Sequence, residues 1–110
     1  MQVSIIIPCF NHIGFTRKCV QSVLDCTDFE KYEYEIIVVA NGCDDDTEEY
    51  VLGVQRSNKI PVVLCSNKEA LGAGEAINTG IRLSRGEYIV TLNNDCVILG
   101  RHWLDLLREP

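Results

Sequence analysis

Three consecutive polar residues, Asn93, Asn94 and Asp95, directly follow an apolar stretch of the chain. That stretch, residues 88–92, is rich in β-branched side chains, which predicts a strand buried on both faces of a sheet. Mg²⁺ and Mn²⁺ prefer oxygen ligands and can complete their coordination shell with the phosphates of a substrate. Asp95 is therefore a candidate ligand for a divalent cation, although an Asn-Asn-Asp sequence by itself is more often a simple turn.

Two earlier apolar stretches also end in polar residues. Residues 4–7 predict a central parallel strand, and we expect it to end at Pro8, which has no N–H for a strand ladder. Residues 35–40 predict a second buried strand. The turn-forming pair Asn41-Gly42 follows that strand, and the three aspartates after the pair are suited to cap a helix.

Helical patterns separate the predicted strands. Apolar residues recur at helical spacing over residues 14–26, and a second helix is expected over residues 47–55. A third strand at residues 60–65 has a proline near its start, which suits an edge strand or a first strand position. In the helix that follows, Gly80 indicates a close approach to the sheet, and a last helical piece covers residues 102–108.

Strands and helices therefore alternate along the whole chain. This order predicts an α/β fold with an open, mainly parallel sheet and helices on both faces. In such folds ligands bind beyond the carboxyl ends of the strands. We therefore expect the polar strand ends to lie together at one edge of the sheet, where a nucleotide would bind.

The chain has 110 residues, of which 46% are hydrophobic and 24% are charged, as in an ordinary single globular domain. Its formal net charge of -6 argues against binding to nucleic acid or to an anionic membrane, because such binding needs a basic face. Six dispersed cysteines without a Cys-x-x-Cys pair predict buried free thiols and a reducing, cytoplasmic location. The apolar stretch near the N-terminus is too short for a signal peptide or a membrane span.

Several common nucleotide-binding and hydrolase motifs do not occur in the sequence. A dinucleotide fingerprint needs glycines directly after the first strand, whereas Gly72 and Gly74 come late in the chain. The sequence has no Gly-Lys-Ser/Thr phosphate loop and no Gly-x-Ser-x-Gly elbow. We therefore reject a standard NAD-type site and a P-loop triphosphatase, and a hydrolase triad has little support.

Four segments, in order, resemble the successive motifs of family 2 glycosyltransferases, which have the GT-A fold. They are residues 3–11 (VSIIIPCFN), 36–45 (IIVVANGCDD), 72–80 (GAGEAINTG) and 86–95 (GEYIVTLNND). Each segment alone is weakly specific, but four segments in this order and spacing match essentially the whole chain. The resemblance implies that residues 1–110 form one truncated domain, the Rossmann-like nucleotide-binding half of a GT-A fold.

The resemblance also implies a binding site for a nucleotide-diphosphate sugar. Pro8 and Phe10 would border the base. Asn41 and Asp45 would lie near the base and the ribose. The full set of residues that the resemblance assigns to the donor site is Pro8, Phe10, Asn11, Asn41, Asp45, Gly72, Asn78, Asn93 and Asn94.

The remaining residues of this set concern the sugar, the phosphates and a metal. By resemblance, Gly72 and Asn78 would shape the sugar-nucleotide pocket, and Asn93 would contact ribose or phosphate. Asp95, in the family's Asp-x-Asp position, would bind manganese or magnesium, and such a cation stabilises the charge on the leaving diphosphate. The chain departs from the family in two places. Ala40 replaces an acidic residue at the end of the second strand, and Asn93 replaces the first Asp, which removes one charge from the metal site.

The resemblance implies a function for the parent enzyme. It would transfer a sugar, with inversion, from a nucleotide-diphosphate donor to a saccharide or lipid-linked acceptor, as in the synthesis of cell-envelope polysaccharide. The family's catalytic base and acceptor-binding half have no counterpart before Pro110, so the catalytic residue stays unknown and we expect the fragment to be inactive. A truncated domain exposes apolar surface and a sheet edge that the missing half would cover, which favours a homo-oligomer. Membrane association of a full-length protein stays open.

Two other functions stay open at this point. A nucleotide-binding module without transfer chemistry is favoured if Ala40 and Asn93 reflect lost function. A sugar nucleotidyltransferase would share the architecture, but it needs a glycine-rich loop after the first strand, and residues 8–14 do not supply one.

Overall fold

The computed structural model of the protein describes residues 1–43, 46–69 and 71–108. Within these residues, strands and helices alternate as the sequence predicts. They are β1 (Val3–Cys9), α1 (Ile13–Cys26), β2 (Tyr34–Asn41), α2 (Thr47–Ser57), β3 (Val62–Asn67), α3 (Ala73–Leu83), β4 (Tyr88–Thr91) and α4 (Trp103–Arg108). The strands pair in parallel in the order β3-β2-β1-β4, which confirms the predicted parallel sheet.

The two central strands form the core, because β1 and β2 each contain a run of β-branched apolar residues, 5–7 in β1 and 36–39 in β2. All of their residues are buried. Ile5 and Val38 belong to the cluster that packs against α1, while Ile6 and Ile37 belong to a second cluster with Ala76 of α3. Each such side chain contributes about 1.5–3 kcal/mol when it is fully buried. The helices thus cover both faces of the sheet, as predicted.

The close approach of α3 to the sheet depends on Gly80. A Cβ atom at this position would lie 2.5 Å from Cγ2 of Ile6, far inside van der Waals contact. Any larger residue would push the helix away from β1. The prediction made for Gly80 from the helical pattern is confirmed.

The prediction that the first strand ends at Pro8 is wrong. β1 continues to Cys9, and Pro8 pairs in register with Val39 of β2. The reason lies on the other side of the strand. The carbonyl of Ile6 accepts a hydrogen bond from the Leu92 N–H, so alternate residues of β1, including Pro8, direct their backbone groups towards β4. Because β4 stops pairing at Ile6, no partner there needs the N–H that proline lacks.

The expectation that residues 88–92 are buried on both faces is also wrong. Among the strands that the structure describes, β4 pairs with β1 alone, and 51% of the Tyr88 surface and 42% of the Ile89 surface are exposed. An apolar β-branched run indicates that a strand tends to be covered, but it does not say what covers it. β3 forms the other edge, where Pro61 stands just before the strand and accepts a hydrogen bond from the Ile36 N–H.

After β4 the chain returns to the connection between α1 and β2. Asp105 of α4 pairs with Lys31 at 2.9 Å and accepts a hydrogen bond from the Tyr32 hydroxyl. The hydrogen bond from Lys31 is the main reason that the pKa of Asp105 is lowered to about 2. The Trp103 indole N–H donates to Thr27 Oγ1 at 3.0 Å. These contacts fix α4 on the same side of the sheet as α1.

The buried carboxylate of Glu35 joins three parts of the chain at the amino end of the sheet. Its Oε2 accepts hydrogen bonds from Ser4 Oγ at 2.6 Å and from the Arg85 N–H at 2.8 Å, and its Oε1 accepts two from the Arg85 guanidinium, each at 3.2 Å. The Gly86 N–H donates to Ser4 Oγ at 2.8 Å. Burial alone would raise the pKa of the Glu35 carboxyl, but the hydrogen bonds from Ser4 and Arg85 hold the pKa below its ordinary value.

We predict that Glu35→Gln destabilises the protein by about 1–3 kcal/mol at pH 7, because an amide cannot accept all of these hydrogen bonds. Urea unfolding monitored by circular dichroism measures the change. Glu30→Gln is the matched control, since Glu30 is exposed and should change stability by less than about 0.5 kcal/mol.

The same pair of proteins gives a pH test. A carboxyl whose pKa is lowered in the folded state stabilises the fold above its unfolded pKa, and this contribution is lost as the pH falls through the folded pKa. The stability difference between wild type and Glu35→Gln should therefore begin to shrink below pH 4.5, the ordinary pKa of the group. A difference that stays constant from pH 7 to pH 3 would contradict this account.

Candidate functional site

The carboxyl ends of β1 and β4 meet through the side chain of Asn94. Its Nδ2 donates to the carbonyl of Asn11 at 3.1 Å and to Thr16 Oγ1 at 3.2 Å. Asn93 lies next to it, exposed, and its carbonyl accepts hydrogen bonds from Cys19 Sγ at 3.7 Å and from the backbone of the turn. Residues that the sequence assigned to one site from separate motifs, Asn11 and Asn94, are therefore in direct contact.

The loop between β1 and α1 has an unusual backbone conformation. Asn11 and His12 both have positive φ angles, 67° and 60°, which L-residues rarely adopt. The Asn11 N–H donates to Cys43 Sγ at 3.3 Å, and Cys43 Sγ in turn donates to the Cys9 carbonyl at 3.3 Å. Phe10, 40% exposed, stands at the start of this loop.

Asn41 is buried at the end of β2, and its side-chain amide bonds to protein backbone on both sides. Nδ2 donates to the Leu71 carbonyl at 2.8 Å, while Oδ1 accepts from the Leu71 N–H at 2.8 Å and from Asn67 Nδ2 at 3.4 Å. The amide thus holds the segment that leads into α3, beside Gly72. Both ends of the amide bond to Leu71, so the Asn41 side chain positions the segment that leads into α3.

The other predicted site residues lie in different surroundings. Gly72 is exposed and caps α3, where its carbonyl accepts a hydrogen bond from the Ala76 N–H at 3.0 Å. Asn78 is exposed further along α3, and Pro8 is buried within β1. Asp45 lies outside the described residues. Ala40, where the family has an acidic residue, is fully buried.

Asp95 is exposed just beyond the Asn94 contact. Among residues 1–43, 46–69 and 71–108, no group of three or more histidine, cysteine and acidic side chains is arranged to hold a metal ion. A single carboxylate next to asparagine oxygens suits a hard cation that brings its own phosphate ligands. The donor types present therefore fit magnesium or manganese bound together with a nucleotide, and they do not form a complete cage.

All six cysteines are free thiols, as predicted, but only Cys9 and Cys19 are buried and the other four are half-buried. Several of them support the site. Cys9 Sγ lies 3.5 Å from Thr16 Oγ1, and both side chains are buried. Burial raises the pKa of the Cys19 thiol to about 12, so Cys19 remains a neutral donor to Asn93. The sequence analysis did not identify Cys43 or Thr16 as site residues. The only signal for Cys43 was its place directly after the Asn-Gly turn.

An open parallel sheet with polar residues at its carboxyl edge places the chain among the α/β proteins whose ligands bind beyond the carboxyl ends of the strands. Residues 4–109 match the sequence profile of Glycosyl transferase family 2. The chain belongs to this family.

Known proteins of similar sequence agree with this assignment. Glycosyltransferase AglE of Haloferax volcanii is 34% identical over 94 residues, a match that covers 86% of this chain and 30% of AglE. The chain spans 13% of the length of an uncharacterized glycosyltransferase of Rickettsia bellii and 31% of the length of glycosyltransferase GlyG of Streptococcus pneumoniae.

Solved structures show the fold. The mannosyltransferase PcManGT from Pyrobaculum calidifontis, in complex with GDP-Man and Mn²⁺, superposes with a TM-score of 0.87 at 23% identity, over 99% of this chain and 33% of that one. S. aureus TarS 1-349, in complex with UDP-GlcNAc, gives a TM-score of 0.82 at 24% identity, over 97% of this chain and 30% of that one. The chain therefore has the part of the GT-A fold that it shares with these structures. In the part of the chain that the structure describes, no helix has the length and hydropathy of a membrane span.

We predict that Asn41→Ala destabilises the protein by about 1–3 kcal/mol, because the backbone groups of Leu71 lose buried partners. The Leu71 N–H should also exchange faster with solvent. Asn41→Asp should still accept from the Leu71 N–H and so protect it more than alanine does. Urea unfolding and amide hydrogen exchange measure both effects.

Asn58→Ala is the control for this prediction. Asn58 is exposed and makes one local hydrogen bond, to the Val54 carbonyl at 3.0 Å, so its loss should cost less than about 0.5 kcal/mol. Equal destabilisation by the two alanine variants would show that Asn41 has no special role.

Proposed function

We propose that this chain is the donor-binding part of a glycosyltransferase that moves a sugar from a nucleotide diphosphate to an acceptor. The observation that carries the proposal is family membership over residues 4–109, joined to the contact between Asn94 and Asn11 at the carboxyl edge of the sheet. Two proteins of the same fold were solved with UDP-GlcNAc and with GDP-Man. A nucleotide-diphosphate sugar is accordingly the ligand class that we assign to this edge.

The base of the donor would lie against the β1–α1 loop. Phe10 is exposed enough to stack on a base, and Pro8 supports the strand beneath it. Asp45 keeps its proposed place near the ribose. Asn41 contributes indirectly, since its amide holds Leu71 and so positions the adjoining Gly72. Asn78, exposed on α3, would face the sugar end of the ligand.

Asp95 would bind manganese or magnesium, with Asn93 close to the ribose or phosphates. When bound, such a cation stabilises the negative charge on the leaving diphosphate. The presence of Mn²⁺ with GDP-Man in PcManGT supports a divalent cation here. Because Asn93 stands in place of an acidic residue, Asp95 is the one carboxylate proposed to bind the cation. Binding of the cation should therefore depend strongly on the phosphates of the donor.

The reaction would be a direct displacement with inversion. An acceptor hydroxyl, on a saccharide or a lipid-linked saccharide, would attack the anomeric carbon as the bond to the diphosphate breaks, and its proton would pass to a catalytic base. We place that base outside these 110 residues, so the chain alone should be inactive. We assign the parent enzyme to the cytoplasmic side of the cell envelope and to polysaccharide synthesis.

A nucleotide-binding module without transfer activity is the second candidate. Two observations favour it, the buried Ala40 at the end of β2 and the neutral Asn93 beside Asp95. Product formation by the full-length parent, supplied with donor and acceptor, distinguishes the two: a transferred sugar excludes the module.

We predict that the chain binds uridine or guanosine diphosphate only with Mn²⁺ or Mg²⁺, and that Asp95→Asn weakens binding at least about tenfold, roughly 1.4 kcal/mol. Isothermal titration calorimetry with and without metal measures both effects. Asp25→Asn, on the exposed side of α1, is the control and should bind like wild type. Metal-independent binding, or equal binding by Asp95→Asn, would discard the metal site.

The exposed edge of the sheet yields a further prediction. Within the described residues β4 pairs on one side only, and Leu107 of α4, 61% exposed, lines a cavity together with Tyr88 and Ile89 of this strand. Unpaired strand edges with apolar neighbours promote association, so we expect the isolated chain to form homo-oligomers.

Light scattering over a range of concentrations measures this association. Ile89→Lys should shift the protein towards monomer, because a charged side chain on an edge strand opposes pairing. Leu52→Lys, on an exposed position of α2, should not. A strict monomer at millimolar wild-type concentration would refute the expectation.

A further inference from the structure

The loop from β1 to α1 holds two consecutive residues, Asn11 and His12, in the left-handed region. This conformation costs roughly 1–2 kcal/mol for most L-residues, and less for asparagine. It is also the place where α1 starts, since the His12 carbonyl accepts hydrogen bonds from the N–H groups of Phe15 at 2.9 Å and Thr16 at 3.2 Å. The side chain of His12, the N-cap residue, makes no capping hydrogen bond to α1. Contacts from other parts of the chain hold the backbone of this loop.

Two side chains from distant segments hold the backbone of Asn11 on both sides. Cys43, beyond β2, accepts its N–H at 3.3 Å, and Asn94, beyond β4, donates to its carbonyl at 3.1 Å. Each of the two is anchored in turn. Cys43 donates to the Cys9 carbonyl, and Asn94 donates to Thr16 Oγ1 at 3.2 Å. We call Cys43 and Asn94 together the loop clamp.

We propose that Cys43 and Asn94 are positioning residues, which hold the β1–α1 loop in the left-handed conformation that brings Phe10 and Asn11 to the donor nucleotide. This inference rests on the proposed function for its last step. It assigns to the Asn94 amide a contact with protein backbone in place of a contact with ligand. An aspartate at position 94 would place a carboxylate oxygen, which can only accept, against the Asn11 carbonyl, which also only accepts. This explains why position 94 is asparagine, whose amide can donate.

Amide hydrogen exchange of the 110-residue chain tests the clamp. In Asn94→Ala the Asn11 N–H should exchange about tenfold faster, although its own hydrogen bond goes to Cys43. The Ile36 N–H, bonded to the Pro61 carbonyl at 3.0 Å at the opposite end of the sheet, should be unchanged. An unaltered Asn11 rate, or equal acceleration of both amides, overturns the proposal.

Two further variants separate the clamp from a general loss of packing. Cys43→Ser keeps an acceptor for the Asn11 N–H and should retain most of its protection, whereas Cys43→Ala should not. In the His12→Gly background glycine adopts the positive φ without steric cost, so Asn94→Ala should accelerate Asn11 exchange only about threefold. An undiminished tenfold effect in that background contradicts a strained loop held by the clamp.

Calorimetric titration with uridine and guanosine diphosphates and Mn²⁺ tests the link to the donor. Asn94→Ala should weaken nucleotide binding about five- to tenfold, and adding His12→Gly should restore part of the loss. Faster Asn11 exchange with unchanged affinity overturns the positioning role. A wild-type chain that binds neither nucleotide overturns the proposed function alone, whereas an unresponsive Asn11 amide overturns the clamp alone.

Discussion

The buried carboxylate of Glu35 sets where β4 begins, and the rest of the site follows from that. Its hydrogen bonds to Ser4 and to the backbone and side chain of Arg85 fix the turn between α3 and β4. Gly86 then lies so close to Ser4 that an added Cβ would be 2.6 Å from the Ser4 backbone nitrogen. The register of β4 on β1 is thereby set, and a slip of one residue would turn Asn94 away from Asn11.

The amino and carboxyl edges of the sheet use different chemistry. At the amino edge the buried carboxylate of Glu35 is held by hydrogen bonds. Any rearrangement that broke them would leave a buried charge unpaired, which is costly, so this edge resists rearrangement. At the carboxyl edge the contacts of Asn41 and Asn94 are neutral amide hydrogen bonds, each with a smaller net contribution to stability. The edge that orders the strands is therefore the more strongly held, and the edge that would meet a ligand is more easily adjusted.

Sequence patterns predicted the alternation of elements, the parallel sheet and the contact at Gly80, because β-branched runs and helical spacing report directly on burial. They failed where the outcome depends on a neighbour in space. The apolar strand β4 is half exposed because it lies at the edge of the sheet. β1 continues through Pro8 because β4 stops pairing with β1 at Ile6. At the site, asparagine suits a ligand contact and a backbone contact equally well, so the sequence could not show that Asn41 binds Leu71. Nothing in the sequence indicated that Glu35, at the start of an apolar run, is a buried carboxylate that binds Ser4 and Arg85.

The strand order also carries a consequence for how the chain folds. β1 leaves the ribosome before β2, β3 and β4, yet it lies between β2 and β4, and Val3 pairs with Tyr88, which is distant in sequence. Pairings so distant in sequence close slowly, because loop entropy must be lost before the contacts form. During synthesis one side of the most apolar strand stays open until β4 appears, which makes this interval the one in which a nascent chain most needs protection from aggregation.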